Sequence, residues 1–377
     1  MHASVQIGDV LASKYRIESI LGTGAMGVVV SARHVQLGSR VALKFMLPEV
    51  LAVRGAAARF LREARAAARL RGEHIVRVSD VGTLETGAPY IVMEFLEGSD
   101  LDAVLRARGP LPVREALGYV LDACEALDEA HRAGIVHRDI KPKNLFLTRR
   151  PNGTALIKVL DFGISKLTDA AEDFHATATR TGAVLGSPAF MAPEQIRSAK
   201  HVDARADIYA LGSLVYYLVS KTFPFDAETI GELFGKVLYL EPMPLRARRP
   251  NVPASLEAIV SRCLQKDPLA RFPDVRELMS ALRSVLDAMP PARNESLAAR
   301  ELHIEARFQQ RARAADPVSH ATAQSTFRHA AISSARALNP KRARPALLTG
   351  LSFVVAFVLL VAGDVSAVRL RLTYRGL

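Results

Sequence analysis

Ile135-Val136-His137-Arg138-Asp139-Ile140-Lys141-Pro142-Lys143-Asn144-Leu145-Phe146-Leu147 crowds an acid, several bases and an amide into one polar turn between apolar runs. Such a turn has the groups for chemistry: Asp139 can accept a proton, Lys141 can neutralise developing negative charge, and Asn144 offers a carbonyl oxygen to a hard cation. Downstream, the apolar run Leu156-Ile157-Lys158-Val159-Leu160 leads into a second polar turn, Asp161-Phe162-Gly163, which brings another carboxylate. Asn144 and Asp161 together supply two oxygen ligands, which suits a magnesium ion completed by phosphates and water. Either turn taken alone fits a solvated surface cluster equally well.

Upstream of these turns the pattern is that of strands. Tyr15-Arg16-Ile17-Glu18-Ser19-Ile20-Leu21 alternates, Gly22-Thr23-Gly24-Ala25-Met26-Gly27 interrupts it, and Val28-Val29-Val30-Ser31-Ala32 resumes as a β-branched run. A dinucleotide-binding fold would need a helix directly after the glycines, so strand, glycine turn and strand favour a hairpin folded over a ligand. Three glycines can also simply make a turn. Arg40-Val41-Ala42-Leu43-Lys44-Phe45-Met46 reads as another strand, with Lys44 either paired inside it or snorkelling from an edge. Ala56 to Leu70 has no helix breaker and carries Glu63, which either turns inward toward Lys44 or lies exposed. His74 to Asp80 and Ala88 to Phe95 are further strand candidates, and Glu97-Gly98 ends a connector. Asp100 then reads as a helix N-cap, and Val113 to Ala133 as a long helix. A β-rich part followed by an α-rich part implies an α+β fold in two lobes.

Beyond the second turn, Thr168 to Gly186 is polar and lacks periodicity, a length typical of functional loops. Ala204 to Ser220, Leu256 to Leu264 and Val275 to Leu286 read as helices. Pro290-Pro291 marks a boundary. The expected organisation is an extension at 1–14, a folded domain at 15–286, a basic flexible linker at 287–345, a membrane helix at 346–363 and a tail at 364–377. Ala346 to Gly363 carries no charge and, at about 1.5 Å per residue, spans nearly the ~30 Å of a hydrocarbon core. Lys341, Arg342 and Arg344 flank one side and Arg369, Arg371 and Arg375 the other, so charge alone does not orient it.

The net charge of +12 is unevenly spread. Residues 1–291 carry 37 Lys and Arg against 33 Asp and Glu, whereas 292–345 carry 10 against 4. A nearly balanced domain with a basic linker argues against a nucleic-acid-binding fold. Hydrophobic residues at 49% permit a sizeable core, and Cys124 and Cys263, each inside a helical apolar pattern, fit reduced core thiols. Met1 to Asp9 lacks the basic start and apolar run of an export signal.

Taken in order, the glycine loop, Ala42-Leu43-Lys44, helical Glu63, His137-Arg138-Asp139, Asn144, Asp161-Phe162-Gly163 and Ala192-Pro193-Glu194 resemble the motif set of bacterial eukaryotic-like (Hanks-type) Ser/Thr protein kinases. The resemblance covers about Tyr15 to Leu286 and implies ATP and magnesium, with manganese as a substitute. It assigns Leu21, Gly22, Gly24, Gly27, Val29, Ala42, Met93, Glu94 and Leu96 to the nucleotide pocket, Lys44 to its phosphates and Glu63 to Lys44. It makes Asp139 the residue that orients and deprotonates the acceptor hydroxyl, Lys141 its neighbour at the γ-phosphate, and Asn144 and Asp161 the metal ligands. It pairs Glu194 with Arg271, sets Asp207 to brace the catalytic turn, and makes Thr177, Thr179 and Thr181 phosphorylation sites facing Arg138. Ser187, Phe190 and Tyr209 depart from the usual residues without touching the chemistry. The implied partners are protein substrates bearing Ser or Thr, a membrane, and a second copy for trans-autophosphorylation, with the kinase domain cytoplasmic. A scaffolding pseudokinase would be signalled by loss of Lys44, Asp139 or Asp161, and all three are present. A small-molecule phosphotransferase would lack the segment from Gly186 to Glu194, which resembles a protein-substrate platform.

Overall fold

Strand β4 (Arg40–Met46) shows how side-chain alternation builds the first lobe: Leu43 and Phe45 point to one face, Ala42, Lys44 and Met46 to the other. In the computed structural model, which describes residues 6–24, 27–84, 87–162, 188–198 and 202–290, the strands β1 (Val10–Leu11), β2 (Tyr15–Thr23), β3 (Gly27–His34), β4, β5 (Val78–Thr83) and β6 (Pro89–Glu94) form one antiparallel sheet. Its order is β1-β2-β3-β4-β6-β5. Tyr15, Ile17, Val30, Leu43, Phe45, Tyr90 and Val92 pack on one face. On the other, Ala42, Met46, Ile91 and Met93 pack against Ala56, Phe60 and Ala64 of a helix, α2 (Ala56–Ala67), which follows the short α1 (Pro48–Leu51). Gly27 pairs with Met46, and a Cβ on it would stand 2.1 Å from the Phe45 carbonyl oxygen, so only glycine lets β3 and β4 close there.

The strand expected from His74 starts only at Val78. Residues 74–76 bond elsewhere: Val159 N–H donates to the His74 carbonyl (2.8 Å) and Val76 N–H to the Val159 carbonyl (3.1 Å). His74, 5% exposed, also has Nδ1 3.0 Å from the Ile157 carbonyl. That segment therefore fastens the first lobe to a second, three-stranded sheet, β7 (Ser99–Asp100), β8 (Leu145–Arg149) and β9 (Ala155–Val159).

The second lobe is helical. Asp100 caps α3 (Leu101–Arg108) by accepting from Ala103 N–H at 2.8 Å, as its sequence position implies. α4 (Val113–Arg132) and α6 (Arg205–Ser220) form its centre, and α6 is buried on nearly every side, which explains its strongly apolar sequence. Around them lie α5 (Pro193–Arg197), α7 (Ile230–Tyr239), α8 (Leu245–Arg248), α9 (Ala254–Cys263) and α10 (Val275–Ala288), the last running two residues beyond the expected boundary. Cys124 and Cys263 are buried and free, as expected. Among the described residues no helix is long and apolar enough to cross a membrane. The candidate span at 346–363, the linker from 291, the tail, Ser187 and the threonines at 177, 179 and 181 lie outside the described residues.

Candidate active site

The β8–β9 hairpin brings the two polar turns together. Leu145 pairs with Val159, so the residues just outside that pair, Asn144 and Leu160, face one another, and Leu160 N–H donates to the Asn144 carbonyl at 2.8 Å. Asp161 follows directly. An amide and a carboxylate 17 residues apart in sequence, the two candidate metal ligands, thereby reach one end of one hairpin.

The first turn is held from beneath. Asp207 on α6, fully buried, accepts the backbone N–H groups of His137 (2.8 Å) and Arg138 (2.7 Å) and lies 2.8 Å from His131 Nε2. This is the bracing that the resemblance implies. His131 was not singled out by the sequence, although its place at the end of an apolar-periodic helix close before His137 was a signal. Arg138 has φ of +66°, a left-handed conformation that costs a non-glycine residue about 1–3 kcal/mol and persists only where neighbours over-determine it. Asp139 N–H donates to His137 Nδ1 at 3.2 Å, so Nε2 carries the ring proton and donates it to the Leu160 carbonyl at 2.8 Å. The imidazole thus locks the first turn to the second.

At the centre, Asp139 Oδ2 accepts from Lys141 Nζ (2.8 Å) and Asn144 Nδ2 (3.0 Å), and Asn144 Nδ2 also reaches the Asp139 carbonyl (2.7 Å). The side-chain nitrogen of Asn144 is spent on Asp139, which leaves the side-chain Oδ1 as the free arm among the described residues. Asp161, also left-handed at φ +60°, accepts from Lys44 Nζ through Oδ1 at 2.6 Å. Burial works to raise its pKa, but the Lys44 ammonium outweighs that and holds the carboxyl below its ordinary value.

Lys44 is buried, so the edge-strand alternative does not apply. Its partner differs from the expected one. Asp161 takes the ammonium, while Glu63 Oε2 on α2 is buried without a hydrogen-bond partner among the described residues. Burial pushes the Glu63 carboxyl up to about 7, against the pull of Arg62, Arg59, Arg138 and Lys44. A lysine within reach of two carboxylates takes the one whose geometry permits a direct bond, and here that is Asp161. The linkage is testable. Between the unfolded value of 4.5 and about 7 the folded state binds more protons through Glu63, so stability falls as pH rises across that window. Glu63→Gln should therefore raise the urea midpoint at pH 8 and raise it much less at pH 5. An equal shift at both pH values would show that Glu63 is not held neutral.

Above these polar groups, Val29, Ala42, Met93, Leu96 and Leu160 belong to one apolar cluster, with Ala42 and Met93 paired across β4 and β6. Leu21 is about half exposed at its edge. Among the described residues, a Cβ on Gly22 would meet nothing within 4 Å, and one on Gly24 would meet the Gly27 carbonyl at 3.9 Å. Glu94 turns its carboxylate away, accepting from Arg77 N–H and from Lys158 Nζ, each at 2.7 Å. That ion pair with Lys158 was not read from the sequence, where Lys158 is only a polar interruption of an apolar run.

Comparison with known proteins agrees with this geometry. A protein kinase domain model matches residues 15–282. The chain belongs to the protein kinase family. Relatives of the kinase include the serine/threonine-protein kinase pkn3 of Myxococcus xanthus, 38% identical over 281 residues that make up 74% of this chain and 51% of that protein. PknB of Mycobacterium tuberculosis is 36% identical over 284 residues, 74% of this chain and 44% of that protein. The chain spans about half or less of the length of these curated relatives. Among solved structures, the Mycobacterium tuberculosis PknI kinase domain superposes with a TM-score of 0.60 at 32% identity, covering 75% of this kinase and 100% of that domain. These relatives place the kinase with the bacterial Hanks-type serine/threonine enzymes.

Proposed function

We propose that this kinase transfers the γ-phosphoryl group of ATP to serine and threonine hydroxyls of proteins. The observation that carries the reading is the juxtaposition at one end of the β8–β9 hairpin of a base held by a lysine and an amide (Asp139, Lys141, Asn144) with a carboxylate held by Lys44 (Asp161).

The residues present fit magnesium and ATP. The open space over Gly22 and Gly24 is a cradle that side chains would fill, the cluster around Ala42 and Met93 offers an apolar surface to a base, and Asn144 and Asp161 present hard oxygen donors. When bound, the metal supplies positive charge against the phosphate oxygens. Asp139 orients the acceptor hydroxyl and takes its proton, while Lys141 offsets charge at the transferred group. Lys44, now on Asp161, is the cation available to the α- and β-phosphates, and Glu63 is the carboxylate that would hold it there. The protein's contribution is chiefly positioning.

Transfer of label from γ-labelled ATP to a generic basic protein, with magnesium and again with a chelator, tests this. Label that requires the metal supports it, and no label with magnesium removes it.

The same proposal includes tethering by the span at 346–363, with the kinase domain on the cytoplasmic side where ATP is available, and pairing of two copies for autophosphorylation at Thr177, Thr179 or Thr181. A phosphate there, at roughly −1.5 to −2 charge, would pair with Arg138. Mass spectrometry finding those threonines unmodified in active enzyme would remove the last idea, and full-length chain soluble without detergent would remove the tether.

A further inference from the structure

Arg138 is the left-handed residue next to the base, and both of its backbone polar groups are taken by side chains from different helices. Its N–H goes to Asp207 of α6. Its carbonyl accepts from Gln195 Nε2 of α5 at 2.9 Å. The other arm of the same amide, Oε1, accepts from Ala192 N–H at 3.0 Å, and Gln195 is 7% exposed. Both ends of the amide are therefore used, one on the catalytic turn and one on Ala192, which precedes α5 within the platform segment at 188–195.

Neighbouring residues of α5 face different parts of the lobe. Glu194 goes to Arg271, which fixes α5 to the helical lobe. Gln195 goes to the turn instead. A five-residue helix starting at Pro193 thus carries one anchor to the core and one contact to the strained residue beside Asp139.

We propose that Gln195 is a positioning residue: its amide holds the Arg138 peptide in the left-handed conformation and so ties the placement of Asp139 to the order of the platform segment. Glutamine offers a donor to the carbonyl and an acceptor to the N–H without charge at every pH. Methionine fills the same volume with neither. An ionised glutamate keeps the acceptor but sets a carboxylate against the Arg138 carbonyl, whereas a protonated glutamate restores both bonds.

The proposal rests on the phosphotransfer reading, and its test separates the two. In the full chain, Gln195→Met should lower kcat tenfold or more with KM for ATP within about twofold, since a small misplacement of a reacting group costs much rate and little nucleotide binding. Gln195→Glu should show the same loss at pH 8 and recover toward wild type as pH falls. The ratio to wild type divides out groups common to both, including Asp139, Lys141, His131, His137, Glu194 and Asp207. Both variants within twofold of wild type, or a loss in Gln195→Glu that ignores pH, would overturn the proposal.

A second readout needs no turnover. Amide hydrogen exchange at His137 and Arg138 should accelerate at least tenfold in Gln195→Met while α6 keeps its protection. Unchanged exchange at those two amides would overturn the proposal even if the wild-type chain transferred no phosphate, an outcome that would remove the kinase reading separately.

Discussion

Asp139→Asn should lower kcat for phosphoryl transfer by roughly a thousandfold, within the ~10²–10⁴ that a positioned general base contributes. The substitution is nearly isosteric. An asparagine at this position can still accept from Lys141 and Asn144 through its carbonyl oxygen, so the hydrogen bonds at 2.8 and 3.0 Å have a ready replacement on one atom. What it lacks is a basic oxygen for the hydroxyl proton. KM for ATP and the urea midpoint should therefore stay close to wild type, and the comparison of initial rates and denaturation curves for the two proteins checks all three quantities. A kcat within tenfold of wild type would place the proton acceptor elsewhere.

The largest effect on stability is expected at Arg271. Its side chain is fully buried and donates to both carboxylate oxygens of Glu194, at 2.7 and 2.8 Å, and to the carbonyls of Arg205, Gln265 and Lys266. Five contacts on one guanidinium join α5, the start of α6 and the segment after α9. Arg271→Met removes the cation and leaves Glu194 and three carbonyls without it. Breaking a buried pair from one side costs about 3–5 kcal/mol, a large share of the ~5–15 kcal/mol that a domain of this kind has to lose. Urea denaturation should show that loss. A fall below about 1 kcal/mol would mean that water replaces the guanidinium at little cost. Arg271→Lys should recover little of it, because a single ammonium does not reproduce the two-pronged bond to Glu194.

How much of this was legible in the chain differs from residue to residue for physical reasons. β4 occupies the residues its alternation marks, because a half-buried strand displays its period directly. The Asp100 cap was equally local, needing only its own side chain and the next turn. His74 to Val76 looked like strand but bonds to β9, whose approach from 83 residues away leaves no mark on the local pattern. The short α7 falls in a stretch whose composition is broadly helical but does not stand out as its own element, although Thr229 accepts from Glu232 N–H and Leu233, Phe234 and Val237 are buried, because ten residues carry little periodic signal. Asp207 beneath the catalytic turn and Glu194 on Arg271 came only through the resemblance to kinases, since their partners lie 70 and 77 residues away.

Glu63 is the instructive difference. Sequence order brings Lys44, Glu63 and Asp161 to one site, but the choice of partner depends on how α2 sits against the sheet and on which carboxylate Lys44 can touch. That is a property of the packed state, and the proposed ATP phosphates would give the Lys44 charge a second use. Gln195 went unremarked for a related reason. A glutamine beside a recognised Glu194 reads as helix surface, and only the left-handed Arg138 peptide lying against it gives the amide a task.

The most direct test of the central claim is phosphoamino-acid analysis of a protein substrate after incubation of the full chain with γ-labelled ATP and magnesium. Expected is label in phosphoserine and phosphothreonine that disappears with Asp139→Asn. Label confined to phosphotyrosine, or ATP consumed with no phosphoprotein formed, would contradict it.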